Sequence, residues 1–168
     1  GGDRRGMIDA FASAPHYLDR LRPVWSQLSE RGLAGSLHVA KAIASQVPDH
    51  PTGPPTAPLV MVAAIRDLAR VPPSARVVYV AHGAGQCYGG VPNSLINSTP
   101  QQLARIVLAV GPNEAWAQAV RSLGVAAVAV GSPRLDDPPV RPSEPNGRLR
   151  VGLLWHWDET LYPETASA

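Results

Sequence analysis

The fold is decided by the stretch RVVYVAHGAG, residues 76–85. Residues 77–81 are apolar and rich in β-branched and aromatic side chains, which predicts a buried β-strand over 76–81. The glycines at 83 and 85 end the strand and allow a tight turn. A short strand that is apolar on both faces is typical of a parallel sheet with helices on either side.

Similar apolar runs recur along the chain, and helical patterns separate them. Further strands are predicted over residues 7–11, 36–40, 59–63, 106–110 and 126–130. Helices are predicted over 17–31 and 113–123, with short helical turns over 41–46 and 65–69. This alternation predicts an α/β fold with a doubly wound, mostly parallel sheet over residues 1–137.

Prolines mark two segments that cannot be regular structure. Residues 48–58 contain five prolines and are predicted to form a surface loop. Residues 138–148 have the composition of a linker. The remaining residues, 149–168, are too few to bury a core of their own. We therefore expect either a tail that packs back on the first domain or the start of a second domain in a longer natural protein.

Composition excludes several classes of protein. Apolar residues make up 45% of the chain, which excludes wholesale disorder, and the net charge is only +2 without a run of cations. A nucleic-acid partner is thereby disfavoured, although a surface patch could still assemble in three dimensions. A single cysteine builds no internal disulfide and no structural zinc site, so we expect no metal and a reducing cytoplasm. No apolar stretch is long enough to cross a membrane. The alternative to a cytoplasmic location is a peripheral position on a membrane surface.

Polar and glycine-rich segments follow the predicted strands, where parallel sheets bind their ligands. The candidates are His16, His82, Gly83, Ala84, Gly85, Gln86, Gly111, Pro112, Arg134, Asp136, His156 and Asp158. His82 stands out because an imidazole exchanges protons near neutral pH and because the glycines after it can present amides to an anion. The alternative is that His82 only caps a tight turn.

Several familiar site motifs are absent from the sequence. The segment GAGQCY, residues 83–88, carries Tyr88 where a dinucleotide fingerprint has its third glycine. The chain has no Gly-x-Ser-x-Gly nucleophile elbow, which argues against a serine hydrolase of that type. It also lacks a Walker loop and a His-Glu-x-x-His motif.

Three segments instead follow one another in a recognisable order: YVAHGAG at 79–85, VGP at 110–112 and VGSPRLD at 130–136. Together they resemble the CDP-glycerol glycerophosphotransferases of teichoic acid synthesis and, more widely, GT-B-fold glycosyltransferases and sugar-nucleotide 2-epimerases. The resemblance covers roughly residues 79–160. It implies that residues 1–137 are the Rossmann-like, acceptor-side half of a GT-B fold, and that residues 149–168 begin a donor-side domain.

The resemblance also implies a function. Such an enzyme moves a glycosyl or glycerophosphoryl group from a nucleotide-activated donor to an acceptor hydroxyl. His82 would be the general base, residues 83–85 would offer backbone donors, and His156 and Asp158 would lie across the cleft. The donor is a substrate rather than a cofactor and would be held mainly by a C-terminal domain, so this chain alone is expected to be inactive.

One departure from the family leaves the acceptor open, since relatives often carry a basic residue near the position of Gln86. Two alternatives to the transferase stay open. One is a sugar-nucleotide 2-epimerase-like half. The other is a stand-alone α/β binding module without catalysis.

Overall fold

The protein contains a six-stranded, all-parallel sheet in the order β2-β1-β3-β4-β7-β8. The computed structural model describes residues 7–82, 87–88, 91–92, 95 and 97–131. The strands of this sheet are β1 Ile8–Ala12, β2 Ala34–Val39, β3 Leu59–Val62, β4 Arg76–Val80, β7 Ile106–Gly111 and β8 Ala127–Ala129. The predicted α/β fold with a doubly wound sheet is confirmed.

Helices connect the strands. They are α1 Pro15–Glu30, α2 Pro100–Arg105 and α3 Glu114–Ser122, with 3₁₀ helices at Lys41–Gln46 and Ile65–Arg70. A short antiparallel pair, β5 Cys87–Tyr88 and β6 Val91–Pro92, lies outside the main sheet. Neither α2 nor this pair is expected from the apolar pattern.

Each face of the sheet has its own apolar core. On one face α1 buries Tyr17, Leu18 and Leu21 against strand residues such as Ala10 and Met61. Trp116 of α3 belongs to the core of the other face and stacks on Tyr79 of β4, with ring centroids 6.4 Å apart. Burial on both faces explains why the strands carry apolar residues at successive positions.

A buried carboxylate attaches the proline-rich loop to the sheet. Asp9 of β1 is 4% exposed and accepts hydrogen bonds from the backbone N–H groups of Ser36, Thr56 and Ala57 at 2.7–2.8 Å. Burial alone would raise the pKa of Asp9, but these three donors and the nearby His38 outweigh it and hold the pKa below its ordinary value. The loop is therefore anchored to β1 by side-chain chemistry.

The same loop is fixed at two further points. Its Pro51 carbonyl accepts a hydrogen bond from the Val39 N–H at 2.9 Å. Its Gly53 carbonyl lies 2.9 Å from Nδ1 of His38, which must therefore carry the proton. His38 is 7% exposed, so this contact with the loop is shielded from solvent.

The chain divides into two units, residues 1–137 and 138–168. All described residues belong to the first unit. The linker at 138–148 and the role of residues 149–168 lie outside the described residues and stay predictions.

Candidate functional site

The carboxyl ends of β1 and β3 meet at the point where the strand order reverses. From β1 the chain passes to β2 on one side, and β3 then pairs with β1 on the other. Such a reversal opens a crevice at the sheet edge, which is where open α/β sheets bind their ligands. The backbone N–H of Ser13, after β1, donates to Oδ2 of Asp67, after β3, at 3.3 Å and joins the two loops across this point.

His82 lies at this edge, two residues beyond the end of β4. Its Nδ1 is 2.5 Å from the carbonyl oxygen of Ala63, the residue that follows β3. A carbonyl only accepts, so Nδ1 donates and the neutral ring presents the lone pair of Nε2. Among the described residues, no group is hydrogen-bonded to Nε2. The backbone thus selects the tautomer in which Nε2 can take a proton.

The surroundings of His82 favour its neutral form. Burial lowers the pKa of His82, and the positive charges of Arg20 and Arg66, together with His16, lower it further. The hydrogen bond to the Ala63 carbonyl acts in the opposite direction but does not compensate. His82 therefore has a pKa below its ordinary value, which favours the unprotonated ring at neutral pH.

An aromatic and cationic cluster surrounds this imidazole. The Tyr17 ring contacts His82 edge to face at 4.8 Å between centroids, and the rings of His16 and His82 are 6.5 Å apart. The guanidinium carbon of Arg66 lies 4.9 Å from the centre of the Tyr17 ring. We call His16, Tyr17, Arg20, Arg66 and His82 the histidine cluster. It combines one neutral base with fixed positive charge.

Helix α1 adds to the positive potential at this edge. It begins at Pro15, beside the histidine cluster, and its first turn has no acidic residue. The positive end of the helix dipole is therefore not offset by a carboxylate of its own first turn. An anion is consequently favoured here on electrostatic grounds.

Asp67 is a buried carboxylate that joins the loops after β1 and β3 at the crevice. It is 1% exposed, and its Oδ1 has no hydrogen-bond partner within the described part of the chain. Burial raises the pKa of Asp67 despite the opposing effects of Ser13 and of the cations Arg66 and Arg70. Its established contact, with the Ser13 N–H, holds the loops after β1 and β3 together.

The structure brings some of the predicted site residues together. His16 and His82 are neighbours, as their positions after β1 and β4 indicate. Gly111 ends the adjacent strand β7 and Pro112 follows it, and the Val110 carbonyl of this strand accepts a hydrogen bond from the Ala81 N–H at 2.8 Å. Gly111 also has a packing role, because a Cβ at this position would overlap the Trp116 indole ring. Its assignment to substrate binding stays a prediction.

The other predicted site residues lie outside the described residues, and their roles stay predictions. They are Gly83, Ala84, Gly85, Gln86, Arg134, Asp136, His156 and Asp158.

Three members of the histidine cluster are missing from the sequence prediction: Tyr17, Arg20 and Arg66. Arg66 carries a usable signal, because it follows the predicted strand 59–63 at the sheet edge where ligands bind. Tyr17 and Arg20 belong to a helix whose apolar spacing indicates core packing. Their position beside His82 depends on the strand order, in which a single strand, β3, separates β1 from β4.

Two absences hold for the described part of the chain. No group of three or more His, Cys, Asp or Glu residues is placed to hold a metal ion there. No helix within those residues is long and apolar enough to cross a membrane.

In comparisons with known proteins, no protein-family model, curated protein or solved structure matches the chain at a significant level.

Proposed function

We propose that this chain is the acceptor-side part of a transferase that moves a glycosyl or glycerophosphoryl group from a nucleotide-activated donor to an acceptor hydroxyl. His82 is the general base of the reaction. The observation that carries the proposal is the fixed tautomer of His82, whose Nδ1 proton is held by the Ala63 carbonyl while Nε2 has no protein partner among the described residues.

The proposed step is a direct displacement of the nucleotide by the acceptor hydroxyl. Nε2 of His82 takes the proton of the acceptor hydroxyl. The hydroxyl oxygen forms a bond to the anomeric carbon of a sugar donor, or to the glycerol-bearing phosphorus of CDP-glycerol. The bond to the nucleotide breaks, and the nucleoside diphosphate or CMP leaves with the electron pair. His82 then returns its proton to solvent.

The charges around His82 suit a phosphate-bearing substrate. Arg20 and Arg66 belong to the histidine cluster, and the positive end of α1 faces the same edge. Positive charge placed before the reaction stabilises a developing phosphate anion without reorganisation. Burial lowers the pKa of His82 most, and the same positive charge lowers it further, so the cations that attract the substrate also favour the neutral base.

The test is nucleotide release by the natural protein that contains this chain, supplied with CDP-glycerol or UDP-sugars and a polyol or glycan acceptor. We expect His82→Gln to lower the rate by about 10²–10⁴-fold, the usual contribution of general base catalysis. The wild-type kcat/KM should rise with pH with an apparent pKa below the ordinary histidine value of 6.5, because the pKa of His82 in the free protein is lowered.

His50→Gln is the matched control, since His50 is half-buried and lies outside the histidine cluster. It should leave the rate unchanged. A folded His82→Gln protein that keeps more than about a third of wild-type activity would contradict the assignment of the base. Sugar interconversion that needs no acceptor would replace the transferase with the epimerase alternative.

A further inference from the structure

A cavity lies on the opposite face of the sheet from the histidine cluster. Its volume is about 440 Å³, within the range of small-molecule sites. Its floor includes Phe11, whose side chain belongs to the core under α3, whereas Tyr17 belongs to the core under α1. The cavity is therefore separate from the proposed catalytic crevice.

Three segments form the walls of this cavity. One is Ala40–Ala42, where β2 passes into the first 3₁₀ helix. The second is Thr52–Pro54 of the proline-rich loop, and the third is Arg70 at the end of the second 3₁₀ helix. The segments come from three places in the sequence, so the cavity exists only in the folded chain.

The loop wall is fixed before any ligand arrives. Carbonyls of Pro51 and Gly53 are bound by Val39 and His38, and the N–H groups of Thr56 and Ala57 are bound by Asp9. A prearranged wall lowers the entropy that a ligand must lose on binding. An anchored loop beside a cavity is thus a structural basis for a binding site.

Two exposed cations, Lys41 and Arg70, line the cavity. Neither forms an ion pair with a described carboxylate. Lysine provides a compact charge and arginine a planar fork, and both are common phosphate ligands. The apolar floor formed by Phe11 suits a carbon skeleton attached to that phosphate.

We propose that this cavity binds a small organic phosphate, with Lys41 and Arg70 on the phosphate and Phe11 beneath the carbon group. The site is independent of the proposed transferase step. Its ligand chemistry is a phosphate dianion on an apolar group, for which phenyl phosphate is a suitable probe.

Lys41 offers a local readout because it is the single lysine in the 168 residues. Reductive methylation with ¹³C-formaldehyde keeps its charge and gives one side-chain NMR signal besides that of the N-terminal amine. Lys41→Gln identifies that signal by removing it. Titration of the full chain with phenyl phosphate should shift the Lys41 signal along a saturable, single-site curve.

Two variants test the assigned contacts. Arg70→Gln removes one charged hydrogen-bonding group. It should raise the Kd for phenyl phosphate at least about tenfold. Gly53→Leu should block the cavity, and the fold should tolerate it, because a Cβ at Gly53 meets no atom within 4 Å. Arg76→Gln is the matched control, since Arg76 is exposed at the opposite, amino end of β4.

The outcomes separate this site from the histidine cluster and from bulk charge. A Lys41 signal that does not shift, or shifts without saturation, overturns the proposal. So does equal weakening by Arg76→Gln, which would show an unspecific charge effect. If Arg66→Gln alone weakens the binding of phenyl phosphate, the phosphate binds in the histidine cluster. That result would also overturn the proposal.

Discussion

Replacing Asp9 with asparagine tests how much the Asp9 carboxylate stabilises the fold by holding β2 and the proline-rich loop to β1. The substitution preserves shape and removes the charge. Asp9 accepts three backbone hydrogen bonds, from Ser36 on Oδ1 and from Thr56 and Ala57 on Oδ2. Asparagine has one oxygen, so its best orientation keeps the two bonds to the loop and turns its amide NH₂ toward the Ser36 N–H.

The cost follows from this geometry. Hydrogen bonds to a charged group contribute about 1.5–3 kcal/mol and neutral ones about 0.5–1.5 kcal/mol. The asparagine variant loses one bond, weakens two, and leaves the half-buried Ser36 N–H opposite another donor. Relief from burying a charge offsets part of this loss. We expect the free energy of unfolding to fall by about 2–4 kcal/mol.

Urea unfolding followed by tryptophan fluorescence at pH 7 measures the change. Asp19→Asn is the control, because the contact of Asp19 within the described residues is an exposed pair with Arg22 at 3.6 Å. That substitution should alter the unfolding free energy by less than about 0.5 kcal/mol. A loss below about 1 kcal/mol in the Asp9→Asn variant would refute the reasoning, since such a value is no larger than one ordinary hydrogen bond.

The pH dependence gives an independent check of the same contact. Because the pKa of Asp9 is lowered on folding, its stabilisation is complete above the ordinary value of 3.8 and is lost as pH falls through the folded pKa. Asparagine does not titrate. The difference in the free energy of unfolding between wild type and Asp9→Asn should therefore become smaller below pH 3.8. An unchanged difference at pH 3 would contradict the stabilising role given to the Asp9 carboxylate.

Three further predictions concern packing, backbone contacts and titration. Gly111→Ala places a Cβ against the buried Trp116 ring and should lower stability by about 1–3 kcal/mol in thermal unfolding; an unchanged midpoint would contradict this contact. Arg105 donates to three backbone carbonyls around the end of the second 3₁₀ helix, so Arg105→Ala should cost about 1–3 kcal/mol in urea unfolding, and Arg105→Lys should not restore it. Because the pKa of His82 is lowered, wild type should lose stability as pH falls from 6.5 through the folded pKa, and His82→Gln should lack that loss.

The strands could be predicted because their pattern is local. The run at 76–81 is observed as β4, Arg76–Val80, and the run at 59–63 as β3, Leu59–Val62. Apolar side chains at successive positions are required by a sheet that is covered on both faces, so no pairing information was needed. The short helix predicted at 41–46 is observed over the same residues as a 3₁₀ helix.

Helix α2 escaped the apolar pattern because it is one short, polar element without a buried residue. Its signal is a capping box instead. Thr99 and Gln102 exchange hydrogen bonds, with the side chain of each accepting from the backbone N–H of the other. A Thr-Pro-Gln-Gln sequence carries that information, but a search for apolar periodicity does not use it.

The proline-rich segment shows where local reasoning stops. Its composition correctly excludes a helix and a central strand. The contacts that anchor it come from Asp9, 47 residues before Thr56, and no local pattern announces a partner at that distance. A charge in the middle of an apolar strand is nevertheless a usable signal, since a buried carboxylate requires hydrogen-bond donors.

The histidine cluster could be predicted in part for the same physical reason. His16 and His82 follow strands, so the rule that parallel strands end at one edge predicts that they meet. The sequence does not predict the tautomer or the lowered pKa of His82. The tautomer depends on the Ala63 carbonyl, and the lowered pKa depends on burial together with Arg66 and Arg20.

These dependencies explain how a cluster with two arginines can favour a neutral imidazole. Burial disfavours the imidazolium of His82, and the positive charges of Arg20 and Arg66 beside it act in the same direction. Attraction of a phosphate to the cluster would offset part of that charge and raise the proton affinity of His82 as substrate binds. The base would thus be neutral in the empty crevice and strengthened in the occupied one, which is the order that proton abstraction from a bound hydroxyl requires.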